Sequence, residues 1–442
     1  MIKRLQVALP ILLVAFLYQA CEQPNPNYQE EAAAPVTIHT AMQGLTDVIV
    51  HDIFSPPQAS RIYAYPSIAA YEVMQQQDSS LTALSGQLNG LTSSPKPQQG
   101  VDYCYPVAAI AAFDEVAKAL IFSEEKIAKV DSTLQQTFRD IGIPSKVYDR
   151  SIDYGHEVAQ HILAWAMDDN YNQSRSFAKY TVTDQADRWK PTPPGYMEGI
   201  EPHWRDIRPF VLDSAQQFTP PLPTDYSMDQ NSQFYKELME VYNVREALSE
   251  EETEIASFWD CNPYVLNVTG HVMHASKKIT PGGHWMGIAA IAAKKSNSSF
   301  AEATKAYALT SIALADGFIS CWDEKYRSNL IRPETVINEH IDPDWLPLLQ
   351  TPPFPEYTSG HSVISSAAAV ALTSIYGENF SFDDDVEVPY GIPIRSFPSF
   401  IAASEEAAVS RLYGGIHYRP AIDNGVVQGR ALGHYIVNNL TL

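Results

Sequence analysis

An all-α protein, with its helices bundled into one large domain and joined by long irregular loops, is what this sequence predicts. Three observations carry that expectation. Segments such as "YPVAAIAAFDEVAKALIF" and "SIDYGHEVAQHILAWAM" repeat apolar residues at intervals of three and four in Ala-rich surroundings. No stretch alternates with period two over strand length. No apolar run beyond the N-terminus is long and clean enough to span a bilayer.

In chain order, residues 1–20, "MIKRLQVALPILLVAFLYQA", put Lys3 and Arg4 before an apolar core and end on a small residue, the pattern of an export signal. Ala20 before Cys21 resembles the cleavage site of bacterial lipoproteins, where that Cys is lipidated; simple secretion is the alternative. The expected location is therefore the periplasm or the outer membrane, with the membrane met only through Cys21. Residues 22–36, polar and Pro-containing, read as a linker. The domain is expected over 37–442, helical to about residue 170. Residues 180–231, with "KPTPPGYMEGIEPHWRDIRPF" and "FTPPLPTDY", are too rich in Pro for long regular elements. Their aromatic content gives an ordered excursion something to bury. Helix returns at "NSQFYKELMEVYNVR", at "SEEETEIASFWD" behind Ser249 as N-cap, and at the long "SSFAEATKAYALTSIALADGFISCW".

Composition bounds the partners. The chain has 442 residues, 45% hydrophobic and only 19% charged, which suits a sizeable core and opposes disorder. Its formal charge of −22 disfavours nucleic acid or an anionic membrane surface. The same excess makes any local cluster of cations conspicuous. Behind Cys21, Cys104, Cys261 and Cys321 lie far apart without CxxC spacing, so at most one disulfide could form, and a thiolate zinc site is not indicated.

Three stretches in the last third supply such a cluster. In "KYRSNLIRP", Lys325 and Arg332 flank the point where the long helix gives way to loop. In "FPEYTSGHSVISSAAAVALTSIYG", Ser359, Gly360 and His361 stand at a helix N-terminus, where free N–H groups and the dipole favour an anion. In "SRLYGGIHYRP", Arg411 and His417 flank a Gly pair. Three fixed cations, a hydroxyl and a backbone N–H make an oxyanion cradle for a phosphate-like group. Two imidazoles could then bond its central atom and move a proton at its far side. Each stretch alone is weak, and most lone histidines are ordinary core or surface residues. Their order is what argues for one site, within 322–417.

That order resembles the signature shared by vanadium-dependent haloperoxidases and the acid phosphatases of the same fold: Lys-x6-Arg-Pro, Pro-Ser-Gly-His, Ser-Arg-x5-His. Thr358 replaces the Pro before Ser359; the other two motifs match in full. "SPPQASRIYAY" and "FWDCNPY" extend the resemblance, which is nearest to the bacterial iodoperoxidases. It implies one vanadate per chain, with His417 as metal ligand. Lys325, Arg332, Ser359, Gly360 and Arg411 would hold the remaining oxygens, and His361 would be the acid–base residue. Lys325 would also be catalytic, polarising hydrogen peroxide for attack by halide and so yielding hypohalous acid. Tyr264, Trp322 and Phe354 look like the surrounding aromatics of the iodide-oxidising members, with bromide a further substrate. A soluble periplasmic acid phosphatase with His417 as nucleophile is the alternative, since the same cradle binds phosphate. A monomer is expected.

Other chemistries are less supported. "HVMHASKKITPGGH" holds His271, His274 and His284, but no HExxH motif, so packing or solvent-facing histidines are the favoured reading there. No GxSxG elbow is present.

Overall fold

The computed structural model describes residues 25–269 and 272–442; the expected signal and Cys21 lie outside them. The first half carries α1 (Tyr28–Ala32), α2 (Val36–Asp52), α3 (Pro56–Met74), α4 (Tyr105–Leu120), α5 (Glu124–Asp140), α6 (Ser145–Met167) and α7 (Tyr171–Ser174). After the Pro-rich excursion come α8 (Gln233–Glu246), α9 (Glu250–Phe258), a hairpin of β1 (Leu266–Thr269) and β2 (Val272–Ala275), α10 (Pro281–Lys295), α11 (Phe300–Ser328) and α12 (Pro333–His340). The chain ends with α13 (Gly360–Tyr376), a hairpin of β3 (Phe382–Asp384) and β4 (Arg395–Phe397), α14 (Phe400–Tyr413) and α15 (Arg419–Asn439). The fold is helical, as expected. The three described cysteines are free and buried. No helix among the described residues is long and apolar enough to cross a membrane.

The linker expected over 22–36 needs correction within its described part. Tyr28–Ala32 forms α1, Asn25 N donates to the Gly142 carbonyl at 3.0 Å, and Ala32 is buried. Polar composition hid this docking, because Ala32 and Tyr28 against the core, with backbone hydrogen bonds, suffice to pin a short segment.

Local signals set the helix ends. Ser299 and Glu302 form a reciprocal capping box at the start of α11, and Ser249 and Glu252 do the same for α9. α11 stops at Asn329, which takes the left-handed conformation at φ 51°. This long helix packs on α3 on one side and on α13 on the other, so it joins the N-terminal helices to the C-terminal ones. Asp316 in its middle accepts from the N–H groups of Phe210, Val211 and Leu212 at 2.6, 2.8 and 3.1 Å, fastening the Pro-rich excursion across the bundle. Trp189, Trp204, Phe210 and Leu212 are buried beneath that excursion, which is how it holds order without regular structure.

α13 carries His361 at its first turn, so its seat matters to function. Gly425, Gly429 and Gly433 line the face of α15 that α13 packs against. A Cβ at Gly429 would meet the Val363 carbonyl oxygen at 2.1 Å. An alanine ordinarily favours a helix over glycine by about 0.5–1 kcal/mol. Here the backbone oxygen cannot yield, so the helices must part. Gly429→Ala is expected to destabilise by about 1–3 kcal/mol, the cost of overpacking. A denaturation midpoint that is unchanged or raised would refute this account of the α13–α15 contact.

Candidate active site

The chain ends of four helices meet at one cavity of about 530 Å³, counting its open mouth. Gly360, His361, Arg411 and His417 line it, together with Trp322, Phe354 and Tyr264. Thus the second and third sequence motifs and all three expected aromatics share one wall. Lys325 and Arg332, fully buried, lie behind that wall.

Arg332 is the N-cap of α12, in extended conformation before Pro333. Its Nε donates to the Phe354 carbonyl at 3.0 Å and its Nη1 to the Ile416 carbonyl at 2.8 Å. Nη1 also lies 3.1 Å from His417 Nε2. The remaining nitrogen, Nη2, is buried without a partner. Arg411, in the last turn of α14, donates from Nη2 to the Trp259 carbonyl at 2.7 Å and from Nε to Ser410 Oγ at 2.9 Å. Burial draws both guanidinium groups down to about 10, still charged at neutral pH.

Lys325 sits in the last turn of α11 and donates to three carbonyls, of Pro355 and Glu356 at 3.0 Å and of Thr358 at 2.5 Å. Its N–H groups are therefore spent on the loop that leads into α13. It contributes charge and loop geometry, while free donors toward the cavity come from its neighbours. Burial lowers its pKa to about 7. Phe354 stacks its face toward both cations, 5.1 Å from Lys325 Nζ and 5.2 Å from Arg332 Cζ.

Ser359 caps α13, its Oγ accepting from Ser362 N at 3.3 Å, which leaves the hydroxyl hydrogen to donate. Thr358, standing where the family motif has Pro, is buried and donates from Oγ1 to Gln428 Oε1 on α15 at 2.8 Å. A tertiary hydrogen bond thus secures the helix start that a Pro would stiffen. The two histidines differ in what holds them. His417 Nδ1 lies 2.7 Å from Glu356 Oε1, which also accepts from Tyr418 N at 3.0 Å. A carboxylate on Nδ1 fixes the tautomer that leaves the Nε2 lone pair toward Arg332 and the cavity. His361 Nε2 is buried without a partner. Burial, then the neighbouring cations, hold both imidazoles well below their usual pKa and therefore neutral.

Glu356 escaped sequence reasoning. In a chain with 52 acidic residues, one more carboxylate beside a motif carries no signal; only its burial against His417 does. Burial raises it to about 7. As the outer partner of a ligand-type imidazole, its replacement should cost affinity for the bound oxyanion. Glu356→Gln is expected to weaken vanadate binding by about 10–100-fold, read by equilibrium dialysis with vanadium analysis. Unchanged affinity would mean that Glu356 does not orient His417.

Trp322 and Phe354 pack at 4.9 Å between ring centroids, and Trp322 Nε1 donates to the Ile200 carbonyl at 3.1 Å. The Pro-rich excursion therefore reaches the cavity wall. Tyr264 is held through its backbone, its carbonyl accepting from Gln350 Nε2 at 2.9 Å.

A pocket of two neutral imidazoles, buried guanidinium groups and a helix N-terminus, inside a helical bundle, defines an oxyanion-handling enzyme. Residues 338–441 match the family model described as the VCPO second helical-bundle domain. No curated protein matches. Among solved structures, the chain is similar to the first bacterial vanadium-dependent iodoperoxidase, with 56% identity and a TM-score of 0.88, covering 92% of this chain and 97% of that one. It also resembles bacterial vanadium-dependent chloroperoxidases in holo and apo form. The holo form has 15% identity and a TM-score of 0.65 over 95% of this chain and 96% of that one; the apo form has 15% and 0.63 over 86% and 93%. The chain belongs to the vanadium-dependent haloperoxidase family.

The residues present fit the vanadate that this family implies. His361 Nε2, on the cavity wall, and Arg332 Nη2, behind it, are buried polar atoms without a partner, and Arg411 and the start of α13 line the same cavity, surroundings that suit an oxyanion.

Proposed function

We propose that this enzyme oxidises iodide, and bromide less readily, with hydrogen peroxide, yielding hypohalous acid. The observation that carries the reading is His417 Nε2 aimed past Arg332 into the cavity, its other nitrogen locked by Glu356. When bound, vanadate supplies a Lewis acid that activates hydrogen peroxide without changing its own oxidation state. The protein does the rest. His417 Nε2 would be the ligand to the metal. Arg332 Nη2, Arg411, the Gly360 N–H and Ser359 Oγ would hold the oxygens. Lys325 adds buried positive charge behind them and so favours charge build-up on the peroxide leaving oxygen. His361, neutral and with Nε2 free, accepts a proton from incoming peroxide and returns one to the departing oxygen. Tyr264, Trp322 and Phe354 present apolar surface to a large, weakly hydrated halide and limit water around it. The 56% identity to an iodoperoxidase supports iodide as the halide.

Purified protein should form triiodide from iodide and hydrogen peroxide in proportion to added orthovanadate. No vanadate dependence, together with hydrolysis of p-nitrophenyl phosphate, would move the assignment to a phosphatase using His417 as nucleophile. Export, lipidation at Cys21, a periplasmic or outer-membrane location and a monomeric state belong to the same reading. They are checked by metabolic labelling with palmitate, cell fractionation and sedimentation.

A further inference from the structure

Beside the cavity, whose wall Cys261 itself lines, lies a second cluster of chemically active side chains that halide oxidation does not use. Cys261, His284 and Glu387 are all buried and come from three separate parts of the chain: the segment after α9, the first turn of α10, and the turn after β3. Cys261 Sγ lies 3.4 Å from His284 Nδ1 and 3.4 Å from Glu387 Oε1, while His284 Nδ1 and Glu387 Oε1 are 3.1 Å apart. On the other side of the ring, His284 Nε2 is 2.8 Å from Asp384 Oδ2, also fully buried.

We propose that Cys261, His284 and Glu387 bind one divalent cation of the zinc class, with Asp384 as the outer carboxylate that orients the histidine. Two features point there. First, the three donor atoms form a nearly equilateral triangle whose centre is about 1.9 Å from each, and a tetrahedral ion with bonds of about 2.0–2.3 Å fits just off that plane. The Cys261 thiol donates to Glu387 Oε1 and lies against His284 Nδ1, and a cation would replace these contacts and serve all three donor atoms at once. Second, the Asp384 carboxylate faces the Nε2 hydrogen, so that Nδ1, on giving up its proton to a cation, would be the ligating nitrogen, the outer arrangement typical of metal-bound histidine. The fourth position is left to water or to the second oxygen of Glu387.

The donor set selects the metal. Thiolate with imidazole suits zinc and opposes magnesium or calcium, which prefer oxygen alone. Burial holds the Cys261 thiol up at about 11, so the cation would displace its proton on binding. The bound ion would tie Cys261 to α10 and to the β3–β4 region. Cys261 follows Trp259, whose carbonyl accepts from Arg411 and whose ring stacks on His284 at 4.7 Å between centroids. Such a metal would therefore steady the backbone on which Arg411 is hung. Its role is structural, in contrast to the vanadate at His417.

The test needs no vanadate, halide or peroxide, so it stands or falls independently of the proposed reaction. Full-length mature protein is stripped with chelator, given zinc, passed through a desalting column and analysed for zinc per chain. One equivalent retained, with a raised Tm, supports the site. Substoichiometric zinc with no shift in Tm overturns it, and this arm depends on no variant. Cadmium then reports the ligand. A sulfur-to-cadmium absorption band should appear in the wild type and in Cys104→Ala, and vanish in Cys261→Ser. An undiminished band in Cys261→Ser would place the cation on another cysteine and overturn the assignment. Glu387→Gln should weaken zinc retention several-fold without removing the band.

Discussion

His417→Ala is expected to abolish vanadium retention and, with it, halide oxidation. Replacing an outer partner such as Glu356 costs about 10–100-fold in affinity, and losing the ligand itself must cost more. No neighbour can substitute. Glu356 lies on the Nδ1 side of the ring, and the Nη1 group of Arg332 is a donor without a lone pair. The variant should remain folded, because the deleted ring leaves space beside a cavity and not inside the close-packed contact of α13 with α15. Vanadium content after desalting, compared with circular dichroism of the same sample, checks this. Stoichiometric vanadium in folded His417→Ala would remove the ligand assignment.

His361→Ala is expected to separate binding from turnover. The Nε2 of His361 has no partner within the protein, so its loss breaks no hydrogen bond at that atom. The cations and His417 still hold the oxyanion. Positioned acid–base groups contribute about 10²–10⁴-fold, and kcat for iodide oxidation should fall by that order while vanadium content stays at one per chain. The histidine must act in its neutral form to accept a proton. Its pKa, well below the usual value because of burial and then Arg411, keeps it neutral at neutral pH when the pocket holds no anion. Equal loss of vanadium in this variant and in His417→Ala would show that the two rings do not have separate roles.

The contrast between these two variants also explains what could be read early. Ser-Gly-His at a helix start and Arg-x5-His after a helix are local facts, because capping and chain reversal depend on neighbours in sequence. The structure places Ser359 as N-cap and Gly360 as first helical residue, as the motif implies, and sets Arg411 in the last turn of α14. Trp322, Phe354 and Tyr264 were also legible, and all three reach the cavity. The engagement of all three Lys325 donors was not. A lysine near a motif reads as an anion ligand, and nothing local reveals that three carbonyls of the 355–358 loop are waiting for its N–H groups. His284 likewise read as packing. Cys261 and Glu387 stand 23 and 126 residues from their facing atoms, far outside any spacing pattern.

The sequence by itself determined the helical class, the helix ends that carry the chemistry, the irregular excursion over 180–231 and the family resemblance. Each follows from periodicity, capping or contiguous motifs, which act over a few residues. Tertiary structure alone decided that Glu356 orients His417, that Lys325 serves the loop, that Arg332 keeps one nitrogen free, and that a thiol, an imidazole and a carboxylate converge behind Arg411. Those outcomes depend on which buried polar group meets which. Once water is excluded, every donor must find an acceptor through the fold, wherever in the chain that acceptor lies.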